Sequence, residues 1–574
     1  MLVSVYGWLE GSALSPLMPH TCAIWACSSL SLWGQTNGLP SLSLAASVHQ
    51  FMAASSLNKV RKINPDYVWL LLAGSLALGV LAFSNVSLMD DAYISFRYAY
   101  NLVEGHGLVF NEGEYVEGYT SLLWTLLMAL PELFNIPVHL FAAYAGLAFG
   151  LLALVEAWRT LGVLGVLGWP RGLALVTLGA YPLFWLSTTK GLEGGLFAFL
   201  LVLAVRLLLS GKPGWAGVAG GLLFAVRPES LLLLGVFGLY ALTQKAGFVR
   251  LGASWLGLVA AATLWRLYYY EAWIPNTITA KSPPEYDLPR ILTNSSYGIG
   301  YLGDFAFFAA PLTLGALAAL FLAPRNPAVW LCLGAFAVEV PVVLANGGDW
   351  MPHHRLVSVY APVLAVLLGI AVSRIAGLGQ LSTRIVVGLL LLAGGVLGGL
   401  FMPFSHGWVP TPDANVAHAS PCYSGLASTV QPTLLSTDRI AAEAIGIFGY
   451  TLRDNYVHDV LGLTDYYSAH YGYNYAMGFG KSYPEHTYHD IQPTLITTHI
   501  GLPYLSTLAA VSNEAYNEEY STYRLTEVPA CDKEGRGEYE MMVSIQKESV
   551  SRILPGFGSL APERVEVPYE PVAG

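Results

Sequence analysis

Two adjacent carboxylates, Asp90 and Asp91, directly follow an apolar stretch, 67–88, that contains no charged residue. A carboxylate can act as a general base on a hydroxyl group. The pair opens a polar, aromatic and Gly-rich loop. Carboxylates in a loop of this kind are often simply charges that contact the solvent. It therefore predicts chemistry only if other functional groups gather on the same side of a membrane.

Four further clusters of charged and aromatic residues lie beside apolar stretches. Charges next to membrane spans are costly, and for that reason they are usually paired and functional. Each cluster alone would fit a local salt bridge or a helix cap, but five clusters on one face indicate a shared cavity. The four are Lys190-Gly-Leu-Glu193, Arg227-Pro-Glu229, Arg266 to Lys281 with Trp273 and Asn276, and Gly347 to Arg355 with Asp349 and Trp350.

This set of side chains suits a sugar that is carried on a lipid phosphate. Arg binds phosphate through its planar fork and Lys binds it as a point charge, while Trp and Tyr rings offer apolar faces and hydrogen-bonding tips to a sugar. The sequence contains no Gly-x-x-x-x-Gly-Lys-Ser/Thr loop for a nucleotide phosphate. A donor supplied by the membrane is therefore expected.

The composition places the elements that carry these clusters in a membrane. The 574 residues are 54% hydrophobic and 11% charged, with a mean hydropathy of +0.52, whereas soluble proteins are about 25% charged. A span needs about 20 mostly apolar residues. An apolar stretch at 119–134, interrupted by proline, is predicted to lie at the interface. Eleven spans are predicted: 67–88, 138–157, 172–189, 194–211, 213–226, 228–244, 251–270, 305–324, 326–345, 356–373 and 385–403.

The positive residues give these spans an orientation. Lys and Arg favour cytoplasmic loops, and a cytoplasmic start with eleven spans puts 12 of the 19 basic residues before position 404 in inner loops. The sequence thus predicts a polytopic α-helical protein of the bacterial cell membrane with a cytoplasmic N-terminus. The outer loops receive the carboxylates Asp90, Asp91, Glu193, Glu229 and Asp349.

Three segments are distinguished by charge. Residues 1–51 carry only Glu10 as a charge, and the basic lead-in after Met52 predicts that 1–51 are either an artefact of the assigned translation start or a disordered extension. Residues 52–403 form the membrane domain, with an outer loop at 89–134. The tail, 404–574, holds 20 acidic against 9 basic residues, which argues against nucleic acid as a partner.

The tail's short apolar runs, broken by Gly, Pro and Asn, predict a small extracytoplasmic α/β domain. Cys422 and Cys531 are the two cysteines of the tail, and outside the cytoplasm such a pair is a disulfide candidate. His486, His489 and His499 have no cysteine partners and no metal-ligand spacing. The sequence therefore favours no metal in the tail.

The motifs around Asp90 resemble the first outer loop of integral-membrane, C-type-fold glycosyltransferases, and most of all the terminal arabinofuranosyltransferases of bacterial cell walls. The resemblance rests on Asp90-Asp91-Ala-Tyr-Ile-Ser-Phe-Arg97, on Gly105-His106-Gly-Leu-Val-Phe-Asn and on Val116-Glu117-Gly118-Tyr-Thr. Later matches run to about residue 480 and include Gly191-Leu-Glu193, Arg227-Pro-Glu229, Pro275-Asn276-Thr, Gly347-Gly-Asp349-Trp350-Met-Pro and His458-Asp459-Val-Leu-Gly462-Leu-Thr-Asp465. Lys190 departs from the pattern, which usually has an apolar or small residue there.

The resemblance implies an inverting transfer of a sugar, arabinofuranose being one candidate, from a polyprenyl-phosphate donor to a cell-envelope glycan on the outer face. It places Asp90 as the general base and Asp91 as the residue that positions it. The sequence hardly distinguishes between this assignment and the reverse one. The donor-phosphate candidates are Arg227, Lys281, Arg355 and Arg266, and the sugar or acceptor candidates are Glu193, Glu229, Asn276, Asp349, Trp350, Trp273 and His106.

Several alternatives stay open on the sequence. A divalent cation held by Asp91, Glu193 and Asp349 is one, because hard cations favour carboxylate oxygens. A transporter or flippase of lipid-linked sugars would use the same cavity without chemistry, although the chain shows no internal repeat. Transfer to a protein side chain is a further alternative.

Overall fold

The computed structural model describes residues 65–82, 88–282, 288–349, 351–377, 388, 416–476, 480–498, 502–512, 515–525 and 541–568. Within these ranges the chain is mostly helical up to residue 377, and the tail contains β-sheet. The predictions about the extension 1–51, the last span 385–403, Trp350 and Cys531 fall outside the described residues, as does the side chain of Cys422.

The part before the tail is built from apolar helices, several of which begin with proline at a first-turn position, where no backbone N–H is needed. The helices are α1 (Pro65–Ala82), α2 (Asp90–Glu104), α3 (Leu122–Leu133), α4 (Val138–Val163), α5 (Trp169–Gly179), α6 (Pro182–Thr188), α7 (Gly194–Leu209), α8 (Pro213–Val226), α9 (Leu233–Thr243), α10 (Phe248–Tyr270), α11 (Asn276–Lys281), α12 (Leu288–Phe308), α13 (Ala310–Leu322), α14 (Pro327–Ala337), α15 (Glu339–Asn346), α16 (Arg355–Ser358) and α17 (Ala361–Gly377).

The prediction of eleven spans is not confirmed. Among the described residues, three helical segments are long and apolar enough to cross a membrane: Val138–Val163, Phe248–Tyr270 and Pro327–Asn346. A fourth is reached if α12 and α13, bent by 94° at their junction, count as one broken span. The other apolar helices are shorter.

Two predicted spans differ from the observed helices for identifiable reasons. The predicted span 172–189 is two short helices, because the first ends at Gly179 and Pro182 starts the next. The predicted span 305–324 crosses the bend at Ala309, just before Pro311. Proline cannot continue a helix on its N-terminal side without losing a hydrogen bond, so composition alone overestimates the length of these helices.

Helices α4 and α7 approach so closely that glycine is required between them. A Cβ atom on Gly195 would lie 2.4 Å from the carbonyl oxygen of Gly146, and one on Gly146 would lie 1.9 Å from that of Thr188. Small residues allow this kind of backbone contact between membrane helices. The contact fixes the start of α7, and with it the position of Glu193 immediately before.

The tail contains one mixed sheet surrounded by short helices. Its elements are α18 (Val416–Val430), β1 (Arg439–Ala442), α19 (Ile445–Thr451), β2 (Tyr456–Asp459), α20 (Tyr466–Tyr471), β3 (Tyr473–Ala476), β4 (Gly480–Ser482), a π-helical turn (His486–Ile491), β5 (Leu495–Thr498), α21 (Leu502–Val511), α22 (Tyr516–Glu519), β6 (Tyr520–Leu525), β7 (Met541–Gln546), α23 (Val550–Ile553) and β8 (Pro562–Val565).

The six-stranded sheet has the order β2-β1-β5-β7-β6-β8. Strand β1 pairs in parallel with β2 and β5, with Ile440 opposite Val457 on one side and Leu495 on the other, and the remaining pairs are antiparallel. The α/β character predicted for the tail is therefore observed. The loops that follow β1 and β2 leave the same edge of the sheet, and both meet the outer loop described below.

Candidate active site

A cavity lies beside the start of α2, next to the two carboxylates. It encloses about 300 Å³ of empty space including its open mouth. Its walls come from the turn before α2, the loop between α6 and α7, the end of α8 and the segment before α16. The lining residues are Met89, Ser187, Lys190, Leu192, Gly194, Arg227, Met351 and Arg355. Three cations therefore face one small space, as a site for an anion requires.

Arg227 is held in the cavity wall by a buried ion pair. Its Nε donates to Glu193 Oε1 at 2.9 Å, and Arg227 is 4% exposed. Burial acts to raise the pKa of Glu193, but Arg227 and Arg355 outweigh it and hold that pKa below its usual range. Arg227 Nη1 is buried and has no hydrogen-bond partner in the described part of the chain. Glu193 is thus ionised, and part of the guanidinium stays available.

Lys190 is a cavity residue to which the sequence gave no role, although it belongs to one of the charged clusters expected to share a cavity. The residue is 5% exposed, and burial lowers its pKa to about 8, with no carboxylate of the described residues acting against it. The backbone N–H of Met89 donates to the carbonyl of Lys190 at 3.1 Å, and Trp124 Nε1 donates to that of Gly191 at 3.0 Å. These bonds attach the lysine loop to the segment that carries Asp90 and Asp91.

Arg355 forms the opposite wall together with Asp349. Its Nε donates to Asp349 Oδ2 at 2.5 Å. Burial acts to lower the pKa of Arg355. Three carboxylates raise it, with the largest effect from Asp349, then Glu193, then Asp91, and the pKa therefore lies above its usual range. Asp91 is therefore close enough to influence a cavity cation, and it is partly exposed.

Asp90 has a different environment from Asp91. Its two carboxylate oxygens accept from the backbone N–H groups of Gly446 and Ile447, each at 2.9 Å, at the start of α19 in the tail. A Cβ atom on Gly446 would lie 1.9 Å from the carbonyl oxygen of Asp90, so glycine is needed for this approach. Asp90 thus fastens the outer loop to the tail.

Arg97 and Asn276 extend this fastening, and we call the three residues with their partners in 446–465 the loop–tail junction. Arg97 donates to the carbonyls of Gly449 and Asn455 at 2.5 and 2.9 Å. The side-chain amide of Asn276 donates to the carbonyls of Gly462, Leu463 and Asp465 at 2.9–3.2 Å.

Several other residues predicted for the site lie elsewhere. Arg266 is buried in an ion pair with Glu117 and does not line the cavity. Lys281, Trp273 and His106 are exposed, and none of them lines the cavity. The phosphate-binding role expected for Arg266 and Lys281 therefore has no support from their positions.

Glu229 is partly buried two residues after Arg227. Its carboxylate raises the pKa of the Arg227 guanidinium, although burial and Glu193 have larger effects on that pKa. Glu229 is not among the residues that line the cavity.

Comparison with proteins of known function gives partial matches. The chain is 29% identical over 363 residues to a terminal β-(1→2)-arabinofuranosyltransferase of Corynebacterium glutamicum, covering 52% of this chain and 50% of that protein. It is 31% identical over 225 residues to the protein of the same name from Mycobacterium tuberculosis, covering 33% of this chain and 34% of that protein. This chain resembles terminal arabinofuranosyltransferases. The resemblance expected from the outer-loop motifs is confirmed.

The match has limits of extent. The chain spans about half the length of the first of these relatives and about a third of the second. Among solved structures, ArnT from Cupriavidus metallidurans bound to undecaprenyl phosphate aligns with a TM-score of 0.49 and 13% identity, over 83% of this chain and 97% of that one. No model of a known protein family matches the chain.

Proposed function

We propose that this chain is a membrane glycosyltransferase that moves a sugar from a polyprenyl-phosphate donor to a cell-envelope glycan. The proposal places the reaction on the extracytoplasmic face of the bacterial cell membrane. The observation that carries it is the cavity in which Lys190, Arg227 and Arg355 converge, with the charge of Asp91 acting on Arg355. Cations that gather beside a carboxylate provide both a phosphate site and a base.

The three cations suit the phosphate of such a donor. Glu193 and Asp349 compensate the two guanidinium groups, whereas the buried ammonium of Lys190 pairs with no carboxylate in the described part of the chain. A phosphate in the cavity would supply the missing negative charge and a partner for Arg227 Nη1. Charge-assisted hydrogen bonds of this kind are about twice as strong as neutral ones.

Asp91 is the proposed base, with Asp90 in the positioning role. Each carboxylate oxygen of Asp90 already accepts a backbone N–H bond from the tail, which fits a positioning role. Asp91 is partly exposed, and its charge acts on Arg355, which lines the cavity. This reverses the order expected from the sequence, in which Asp90 was the base.

The reaction follows from this arrangement. An acceptor hydroxyl oxygen attacks the anomeric carbon of the sugar from the face opposite the phosphate, and the anomeric C–O bond to the phosphate breaks. Asp91 takes the hydroxyl proton, and the phosphate leaves with its charge held by Lys190, Arg227 and Arg355. One displacement inverts the anomeric configuration.

A divalent cation bound by Asp91, Glu193 and Asp349 is disfavoured by the charges around it. Glu193 and Asp349 each give one carboxylate oxygen to a guanidinium group, and Lys190, Arg227 and Arg355 already line the cavity, so a further cation would meet like charges. We therefore assign stabilisation of the leaving phosphate to Lys190, Arg227 and Arg355.

Arabinofuranose is the proposed sugar, and an extended envelope glycan is the proposed acceptor. The names of the two curated relatives support the sugar. The tail, packed on the outer loop through the loop–tail junction, is placed to hold the acceptor. The membrane domain, 52–403, would then bind the donor, and the tail, 404–574, would bind the glycan.

A turnover assay with the purified full chain tests the proposal. The chain is incubated with polyprenyl-phosphate arabinofuranose and an arabinan acceptor, and mass spectrometry should show the acceptor gaining one pentose. The Asp90→Asn/Asp91→Asn double variant should show none. Glu112→Gln, which changes an exposed carboxylate of the same outer loop, should transfer as the unmodified chain does.

Two outcomes contradict the proposal. Undiminished donor turnover in the double variant would reject the carboxylate pair as the source of the base. Movement of the donor across a vesicle membrane without turnover would instead identify a flippase.

A further inference from the structure

Three metal-binding side chains of the tail converge away from the cavity. His458 lies near the end of β2, Asp465 stands just before α20, and His486 begins the π-helical turn. One ligand atom from each lies within 4.8 Å of the others. The Asp465 Oδ1 atom is 3.8 Å from His458 Nδ1 and 3.6 Å from His486 Nε2.

These separations are too long for hydrogen bonds, which join N and O atoms at about 2.7–3.2 Å. They are close to the edge of a metal-centred tetrahedron, about 3.3–3.5 Å for Zn–N and Zn–O bonds of about 2.0–2.1 Å. The corresponding edge in an octahedron is shorter, about 2.9 Å for the same bonds. The two Asp465–histidine distances are therefore closer to the edges of a tetrahedral site than to those of an octahedral one.

Each histidine is oriented by a bond from its other ring nitrogen. His458 Nε2 is 2.9 Å from Thr487 Oγ1, and His486 Nδ1 is 2.8 Å from Asp490 Oδ2. Metal-ligating histidines are commonly held in this way, since a bond from one nitrogen leaves the lone pair of the other directed at the metal.

The atoms that face the centre are available for a ligand. His458 is 1% exposed, and its Nδ1 has no hydrogen-bond partner among the described residues. Asp465 uses its other oxygen, Oδ2, to accept from the backbone N–H of Ser468 at 2.6 Å, which leaves Oδ1 directed towards the histidines. A buried nitrogen acceptor without a donor is costly, and a cation at this point would remove that cost.

We propose that His458, Asp465 and His486 bind a divalent transition-metal ion, with Zn²⁺ the best match. Two imidazoles and one carboxylate are the ligand types that Zn²⁺ takes, and a fourth position stays open for water. Each chain would hold about one ion. The site shares no residue with the cavity, so it does not depend on the proposed function.

The location of the site suggests what the ion does. Asp465 ends the loop 459–465. The backbone carbonyls of Gly462 and Asp465 accept hydrogen bonds from the side-chain amide of Asn276. An ion at Asp465 would tie this loop to β2 and to the π-helical turn. It would thus rigidify the surface of the tail that meets the outer loop.

The test measures metal on the full chain in detergent. The protein is purified without chelator, stripped, and equilibrated with Zn²⁺ or Co²⁺, and bound metal is counted by mass spectrometry. We expect about one ion per chain, the intense visible absorption of tetrahedral Co²⁺, and a rise in Tm on adding Zn²⁺. The His458→Gln and His486→Gln variants should lose all three signals.

A matched control and a milder variant keep the test decisive if a ligand variant fails to fold. His489→Gln changes an exposed histidine three residues from His486 and should bind as the unmodified chain does. Asp490→Asn, at another exposed position, weakens the bond that orients His486 and should lower the affinity by about 10- to 100-fold.

Two results would overturn the proposal. One is a stripped wild-type chain that takes up no Zn²⁺ or Co²⁺ in competition with a chromophoric chelator, which would leave an ordinary hydrogen-bonded cluster. The other is equal loss of metal from His489→Gln and His486→Gln, which would indicate binding at surface histidines.

Discussion

The cavity and the loop–tail junction both contain charged residues from the motifs of the sequence analysis. The two regions differ in how completely these charged groups are hydrogen-bonded. In the cavity, the described residues provide no carboxylate for Lys190 and no hydrogen-bond partner for Arg227 Nη1. In the junction, Arg97 uses its guanidinium on four oxygen acceptors. A charged group that keeps free hydrogen-bonding capacity indicates a ligand site. A charged group whose hydrogen bonds are all made within the protein indicates a structural role.

The neighbouring residues Asp90 and Asp91 give the sharpest test of this contrast. Asp91→Asn should lower kcat by about 10²- to 10⁴-fold, the usual contribution of a general base, and leave Tm unchanged. Asp90→Asn should instead lower the free energy of unfolding by about 1–3 kcal/mol, because an amide cannot accept on both sides. Paired kinetics and thermal denaturation measure the two effects. A large loss of kcat with unchanged Tm in Asp90→Asn would reverse the assignment.

Arg97 tests the architectural side. Arg97→Met should lower the free energy of unfolding by about 3 kcal/mol or more, since several buried acceptors lose a charged donor at once. Denaturation of the full chain, followed by a tail-specific probe, gives the value. Arg564→Met, at an exposed residue of β8, the strand at the opposite edge of the sheet from β2, is the matched control and should change the free energy of unfolding little. Similar losses in both variants would argue against the junction.

Lys190 tests the cavity. Lys190→Met should raise the KM for the polyprenyl-phosphate donor by roughly 10- to 100-fold, the value of one charge-assisted hydrogen bond. Because the Lys190 ammonium is buried and pairs with no carboxylate of the described residues, replacing it with an apolar side chain should not lower Tm. Steady-state kinetics at several donor concentrations separates KM from kcat. An unchanged KM would remove Lys190 from the phosphate site.

The smallest expected effect is a dependence on pH. Burial disfavours the charged ammonium and lowers the pKa of Lys190 to about 8, so the lysine is cationic below that pH and neutral above it. The kcat/KM for the donor, which reports groups of the free enzyme, should fall as pH rises through about 8. Lys190→Arg should abolish this fall, because a guanidinium keeps its charge. A pH profile that is identical in both proteins would contradict the assignment.

Composition and local patterns were enough to determine several features of this protein. Apolar stretches with few charges predicted a membrane protein, and the acidic, broken pattern after residue 404 predicted the mixed α/β tail. Short motifs placed Arg227, Arg355, Glu193 and Asp349 in one group, and the structure brings their side chains together around the cavity. These features are readable because each depends on residues that are near in sequence or on composition alone.

Tertiary structure alone decided which charges are free. Arg266 pairs with Glu117, 149 residues away, and Asp90 is bound by amides 356 and 357 residues away, so neither partner is visible from the local sequence. The same holds for His458 and His486, which meet only because β2 and the π-helical turn pack together. A charged side chain is available for chemistry when packing leaves it without a partner, and packing is set by the whole chain.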